Sequence, residues 1–93
     1  MSVRVRLPAI LRDLPGSRAV VELSGSYDSV ADALDALWRE VPAVRDRVLT
    51  ETGEVREHVQ LFVGLESIRF TGGLATAVPE DTEIHIVPAV SGG

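Results

Sequence analysis

Ser29-Val30-Ala31-Asp32-Ala33-Leu34-Asp35-Ala36-Leu37-Trp38-Arg39-Glu40-Val41-Pro42 carries the strongest period in this chain. Val30, Ala33, Leu34, Leu37, Trp38 and Val41 stand at i, i+3, i+4, i+7, i+8 and i+11, which is one apolar stripe down a helix. Ser29 followed by Asp32 resembles a capping box with Asp in place of Glu, and Pro42 stops the pattern. Trp38 lies on the stripe, so it reads as core rather than as a platform for a ligand. Such a helix has to cover a partner layer.

Both flanks supply strands for that layer. Upstream, Val3, Val5 and Leu7 alternate with Arg4 and Arg6, a half-buried strand with arginines on its open face, and Pro8 ends it. Asp13-Leu14-Pro15-Gly16-Ser17 is turn chemistry, and Arg18 to Leu23 resumes a β-branched run until Ser24-Gly25-Ser26. Downstream, Ala43 to Thr50 extends the helical region by a turn or two before a polar loop through Gly53. Val59, Leu61 and Val63 then alternate with His58, Gln60 and Phe62. Gly64-Leu65-Glu66 turns, and Ile68-Arg69-Phe70 reads as a short extended piece before Thr71-Gly72-Gly73. After the turn Pro79-Glu80-Asp81-Thr82, the run Glu83 to Val87 is the last strand, with Ile84 and Ile86 inward and Glu83, His85 and Val87 outward. The order predicts an α+β domain with one sheet face under the helix and the other open.

Ninety-three residues make one domain, spanning 1–93. A hydrophobic share of 45% with 25% charged residues excludes a disordered or fibrous chain. With no cysteine, a disulfide framework, a thiolate metal site and a catalytic thiol are all ruled out. The net charge of −5 argues against nucleic acid as a partner, because binding there requires neutralising phosphates. No apolar run reaches the ~20 residues of a membrane span, and the start lacks the apolar block of a secretory signal, so the expectation is a cytoplasmic protein.

Enzyme constellations are absent: no Gly-rich phosphate loop, no nucleophile elbow, no metal-ligand spacing. His58 and His85 are far apart and unsupported by cysteine, and the acidic residues are scattered as on a solvated face. No catalytic residue and no metal site is expected. The informative feature is the end of the chain, Pro88-Ala89-Val90-Ser91-Gly92-Gly93. Pro88 has no amide hydrogen to continue a ladder and is expected to direct the chain out of the sheet. The tail 88–93 spans roughly 20 Å when extended. Without Cβ atoms, Gly92 and Gly93 can thread a narrow channel and leave the terminal carboxylate unhindered. Taken alone, the dipeptide also fits an ordinary frayed terminus.

The β-β-α-β-β order ending in Gly-Gly resembles the ThiS/MoaD family of ubiquitin-like sulfur carriers over the whole chain. Ile68-Arg69-Phe70-Thr71-Gly72-Gly73-Leu74-Ala75-Thr76-Ala77 and Ile84-His85-Ile86-Val87-Pro88-Ala89-Val90-Ser91-Gly92-Gly93 look most like the actinobacterial branch that supplies sulfur for cysteine synthesis. The molybdopterin-synthase branch typically has an aromatic residue where Val87 stands and a second proline where Ala89 stands. Gly64-Leu65 departs from the Asn that many relatives place before that turn. The resemblance implies a ubiquitin-like β-grasp fold, a mixed sheet packed on one main helix with a flexible C-terminal tail.

It also implies a protein co-substrate in place of an enzyme. An E1-like adenylyltransferase/sulfurtransferase would use ATP to turn the Gly93 carboxylate into an acyl-adenylate. A sulfur source would then displace AMP and leave a thiocarboxylate. In the cysteine branch the acceptor is a pyridoxal-phosphate-dependent synthase, and a JAMM-type zinc metalloprotease releases the product. The carrier itself would bind no cofactor and would be a monomer when free. By strand parity Arg4, Arg6, Gln60, Phe62, His85 and Val87 share the open sheet face, either as a docking surface for these partners or merely as exposed sheet. All nine basic residues are arginine, which fits codon bias; with no lysine and no cysteine, only the α-amino group competes for an activated terminus. Other outlets remain: sulfur for molybdopterin, thiamin thiazole or a thio-sugar, covalent modification of target proteins, or a structural subunit whose tail plugs a partner.

Overall fold

A computed structural model of the chain describes residues 2–88. Its elements run β1 (Ser2–Arg6), α1 (Ala9–Arg12), β2 (Val20–Ser24), α2 (Val30–Glu40), α3 (Pro42–Val48), β3 (Val59–Val63), β4 (Glu66–Ser67) and β5 (Glu83–Pro88), with 3-10 turns at Ile68–Phe70 and Gly73–Ala75. The sheet order is β2-β1-β5-β3-β4. β5 sits in the centre, parallel to β1 and antiparallel to β3, and this makes the sheet mixed. One helix-covered face and one open face give the expected β-grasp arrangement.

The stripe on α2 is buried as its spacing requires: Val30, Ala33, Leu34, Leu37 and Val41 are sealed, while Trp38 is half-buried at the margin of the core. They meet Val3, Val5, Val21, Leu23, Leu61, Ile84 and Ile86 from the inner face of the sheet. Each fully buried aliphatic side chain contributes about 1.5–3 kcal/mol. At the start of α2, the Asp32 amide donates to Ser29 Oγ at 3.2 Å, the capping bond that the spacing implied. The Val30 amide donates to the Thr76 carbonyl at 2.9 Å, so a distant loop satisfies a second orphan donor. Val41, the residue before a proline, leaves the helical region at φ −135°, which ends α2. Pro42 then occupies the first turn of α3, where its missing N–H has no cost.

Four details depart from the sequence reading. Ala9–Arg12 form a helical turn directly after Pro8, and β2 begins at Val20 instead of Arg18. Ile68–Phe70 is a 3-10 turn, not an extended piece: the Ser67 side chain accepts from the Arg69 amide and the Thr71 amide returns to the Ile68 carbonyl. Pro88 stays in register opposite Val59 as the last residue of β5, so the chain is still in the sheet at that point.

The Gly64 turn joins β3 to β4 at φ 61°, a left-handed conformation that favours glycine over the Asn common in related turns only slightly. The Thr71–Thr76 loop is closed by side chains. Thr76 Oγ1 donates to the Gly73 carbonyl at 2.6 Å and lies 3.0 Å from Thr71 Oγ1.

Candidate functional site

Register decides which side chains share a face, because directly opposed residues in neighbouring strands point the same way. Arg6 on β1 stands opposite His85 on β5, and His85 stands opposite Phe62 on β3. Phe62 in turn faces Ser67 on β4. Arg4 pairs with Glu83, and Gln60 pairs with Val87. Arg4, Arg6, Gln60, Phe62, His85 and Val87 therefore lie together on the sheet face that α2 does not cover. Phe62, His85, Val87 and Gln60 are half-buried, whereas Arg4 and Arg6 are exposed. Of these six residues, Phe62 and Val87 are the apolar members.

One residue of the face carries weight that parity alone did not assign. Glu83 Oε2 accepts from Arg6 Nε at 2.6 Å and lies 3.2 Å from His85 Nε2. The hydrogen bond from Arg6 holds the Glu83 carboxyl below its ordinary range, with the charges of Arg6, His85 and Arg4 adding to the effect against partial desolvation. The same contact raises Arg6. The rim of the face is thus a neutralised Arg6–Glu83–His85 group beside Arg4 in place of two free arginines. The alternation Glu83, His85, Val87 already put Glu83 on this face; the contact became visible only once β5 was placed parallel to β1.

β5 leads to the chain terminus from the middle of the sheet, and Pro88 at its end is exposed. Ala89, Val90, Ser91, Gly92 and Gly93, the tail residues singled out by sequence, lie outside the described residues. Among the described residues no three His, Asp or Glu side chains converge as metal ligands, and no helix is long and apolar enough to cross a membrane.

Comparison with known proteins agrees with this layout. The model of the ThiS family matches residues 5–93. The sulfur carrier protein CysO of Mycobacterium tuberculosis is 34% identical over 95 residues, with 100% of both chains covered. Small archaeal modifier protein 1 of Haloferax volcanii is 38% identical over 89 residues, covering 95% of this chain and 97% of that one. A crystal structure of the Amycolatopsis orientalis BexX/CysO complex contains a chain that superposes with a TM-score of 0.83 at 31% identity, covering 98% of this chain and 99% of that one. The fold is the ubiquitin-like β-grasp, and the chain belongs to the ThiS family.

Proposed function

We propose that this protein is a sulfur carrier in which residues 1–93 act as one β-grasp domain with the tail 88–93 as its working end. An ATP-dependent adenylyltransferase converts the Gly93 carboxylate to an acyl-adenylate and releases pyrophosphate. A sulfur nucleophile displaces AMP, and Gly93 leaves as a thiocarboxylate. That sulfur is a soft, ionised nucleophile for an acceptor enzyme. The favoured acceptor is a pyridoxal-phosphate-dependent cysteine synthase, with a JAMM-type zinc protease freeing the cysteine formed on the tail. The carrier holds no cofactor of its own, and its need for ATP and a sulfur source supplied through partners puts it in the cytoplasm.

The observation that carries this reading is the similarity to CysO across 100% of both chains, terminus included. In this reading partners grip the open face around Phe62 on β3 and Val87 on β5, the strand that leads into the tail. The test is an intact mass after incubation with ATP, the activating enzyme and a sulfur source. A gain equal to the difference between sulfur and oxygen, absent when Gly93 is deleted, supports the reading. An unchanged mass, with the activating enzyme competent on another carrier, overturns it.

A second reading has its own support in the 38% identity to small archaeal modifier protein 1. In it the activated Gly93 ends in an isopeptide bond to a target lysine. The two separate on their products, a small sulfur-containing metabolite against a ladder of larger conjugates.

A further inference from the structure

Beside the end of β5 lies a second surface. Pro8, Ile10 and Leu11 from the start of the β1–β2 connection, Arg47 from α3, His58 before β3, and Val87 and Pro88 enclose a niche of about 120 Å³. A cavity of about 150 Å³ accepts benzene, so this one has room for a single aliphatic or small aromatic side chain. Ile10 is 73% exposed on its wall, an unusual position for a large aliphatic residue on a four-residue helical turn. Arg47 and His58 are exposed at the same niche, and neither makes a salt bridge among the described residues. An apolar floor edged by the Arg47 guanidinium and the His58 imidazole complements an apolar side chain with a carboxylate next to it.

The position of the niche selects its occupant. Pro88 forms part of its wall, and Gly93 is only the fifth residue beyond it. Five residues reach at most roughly 17 Å. Any enzyme whose active site encloses the Gly93 carboxylate has to lie against the surface around Pro88. Val87 belongs both to this niche and to the open face, so the two surfaces are continuous. We propose that the niche bounded by Ile10, Arg47 and Pro88 seats one apolar side chain, flanked by an acidic residue, from the ATP-dependent enzyme that activates Gly93. The proposal rests on the carrier reading above and adds the site by which the activating enzyme is recognised. The β1–β2 connection is then a recognition element and not merely a linker.

The test uses the full chain with the activating adenylyltransferase encoded by the same organism, in an ATP–pyrophosphate exchange assay with carrier concentration varied. The variants are Ile10→Asp and Arg47→Glu, both at exposed positions, with thermal melts to confirm folding. Each is expected to raise the KM for carrier at least tenfold while kcat changes less than about twofold, because seating is lost but not the chemistry at Gly93. Wild-type KM values in both folded variants would overturn the proposal. So would a loss confined to kcat, which would place these residues at the reacting terminus. Should wild-type carrier dimerise in sedimentation and Ile10→Asp abolish the dimer with KM unchanged, the occupant is a second copy and the proposal fails. Absence of exchange with wild-type carrier, by an enzyme active on another carrier, would instead refute the carrier reading itself.

Discussion

Arg6 Nε and Glu83 Oε2 are 2.6 Å apart across the parallel junction of the first and last strands, residues 77 positions apart in the chain. That contact ties the strand leading into the tail to the N-terminal strand on the very face proposed to meet partners. His85 shares the same carboxylate oxygen at 3.2 Å. Fixing Glu83 in this way sets the charge of the face before any partner arrives.

The first prediction follows from the sign of the Glu83 shift. Its carboxyl titrates below the ordinary 4.5 in the folded state because Arg6 donates to the ionised form. A group depressed on folding contributes stability that is fully present above its unfolded value and is lost as pH falls through the folded one. Glu83→Gln should therefore melt below wild type at pH 7, and the two curves should converge on acidification below about pH 4.5. Both partners are substantially exposed, so the gap should be small and should shrink with added salt. Parallel melting curves across the whole acid range would show that the contact adds nothing.

A second prediction concerns the stripe on α2. Leu37 is fully buried between the helix and the sheet. Leu37→Ala should cost about 2–5 kcal/mol, the transfer term plus the cavity left behind. For a domain of this length each kcal/mol lowers the melting temperature by roughly 4–8 °C. Urea unfolding gives the value directly, and a loss below about 1 kcal/mol would mean that the packing around α2 is looser than the burial implies.

Thr76 gives a third. It is the buried polar side chain of the described core, 8% exposed, and its hydroxyl serves both the Gly73 carbonyl and Thr71 Oγ1. Its own carbonyl receives the Val30 amide at the start of α2. Thr76→Val keeps the shape and removes the hydroxyl, while the Gly73 carbonyl keeps the Thr76 amide and Thr71 Oγ1 keeps the Ser67 carbonyl. The expected cost is that of ordinary hydrogen bonds, about 0.5–1.5 kcal/mol. Thr76→Ser, which restores the donor, should recover most of it. Equal losses in both variants would assign the effect to the methyl group instead.

This loop also shows where sequence reading stops. Ile68 to Ala77 carries part of the resemblance to sulfur carriers, yet its structural work is to cap α2 and close the sheet edge. Alternation over three residues cannot separate an extended piece from a 3-10 turn, and at Ile68–Phe70 the Ser67 side chain decided the matter. α1 was missed for a related reason: four residues after a proline carry no readable period. Long periodic segments were legible. Val30 to Val41 declared its buried face, and the alternation of β1, β3 and β5 placed all six open-face residues correctly. The Glu83 contact was not legible, since it depends on which strands become neighbours and in which direction. Nor was the niche at Ile10, which is assembled from four separate stretches of chain.

The last prediction tests the open face itself. Phe62 is half-buried, opposite His85 on one side and Ser67 on the other, and it contributes nothing to the buried core on the far face of the sheet. Aromatic side chains at the centre of an interface commonly contribute 2 kcal/mol or more to binding. Phe62→Asp should therefore leave the melting temperature nearly unchanged and raise the KM for the activating enzyme roughly thirtyfold, the ratio that ~2 kcal/mol produces. Its effect should exceed that of Gln60→Ala, which lies on the same face without an apolar anchor. If Phe62→Asp folds normally and is activated with wild-type kinetics, this face is exposed sheet and nothing more. Recognition of the carrier would then have to reside around Pro88 and the tail.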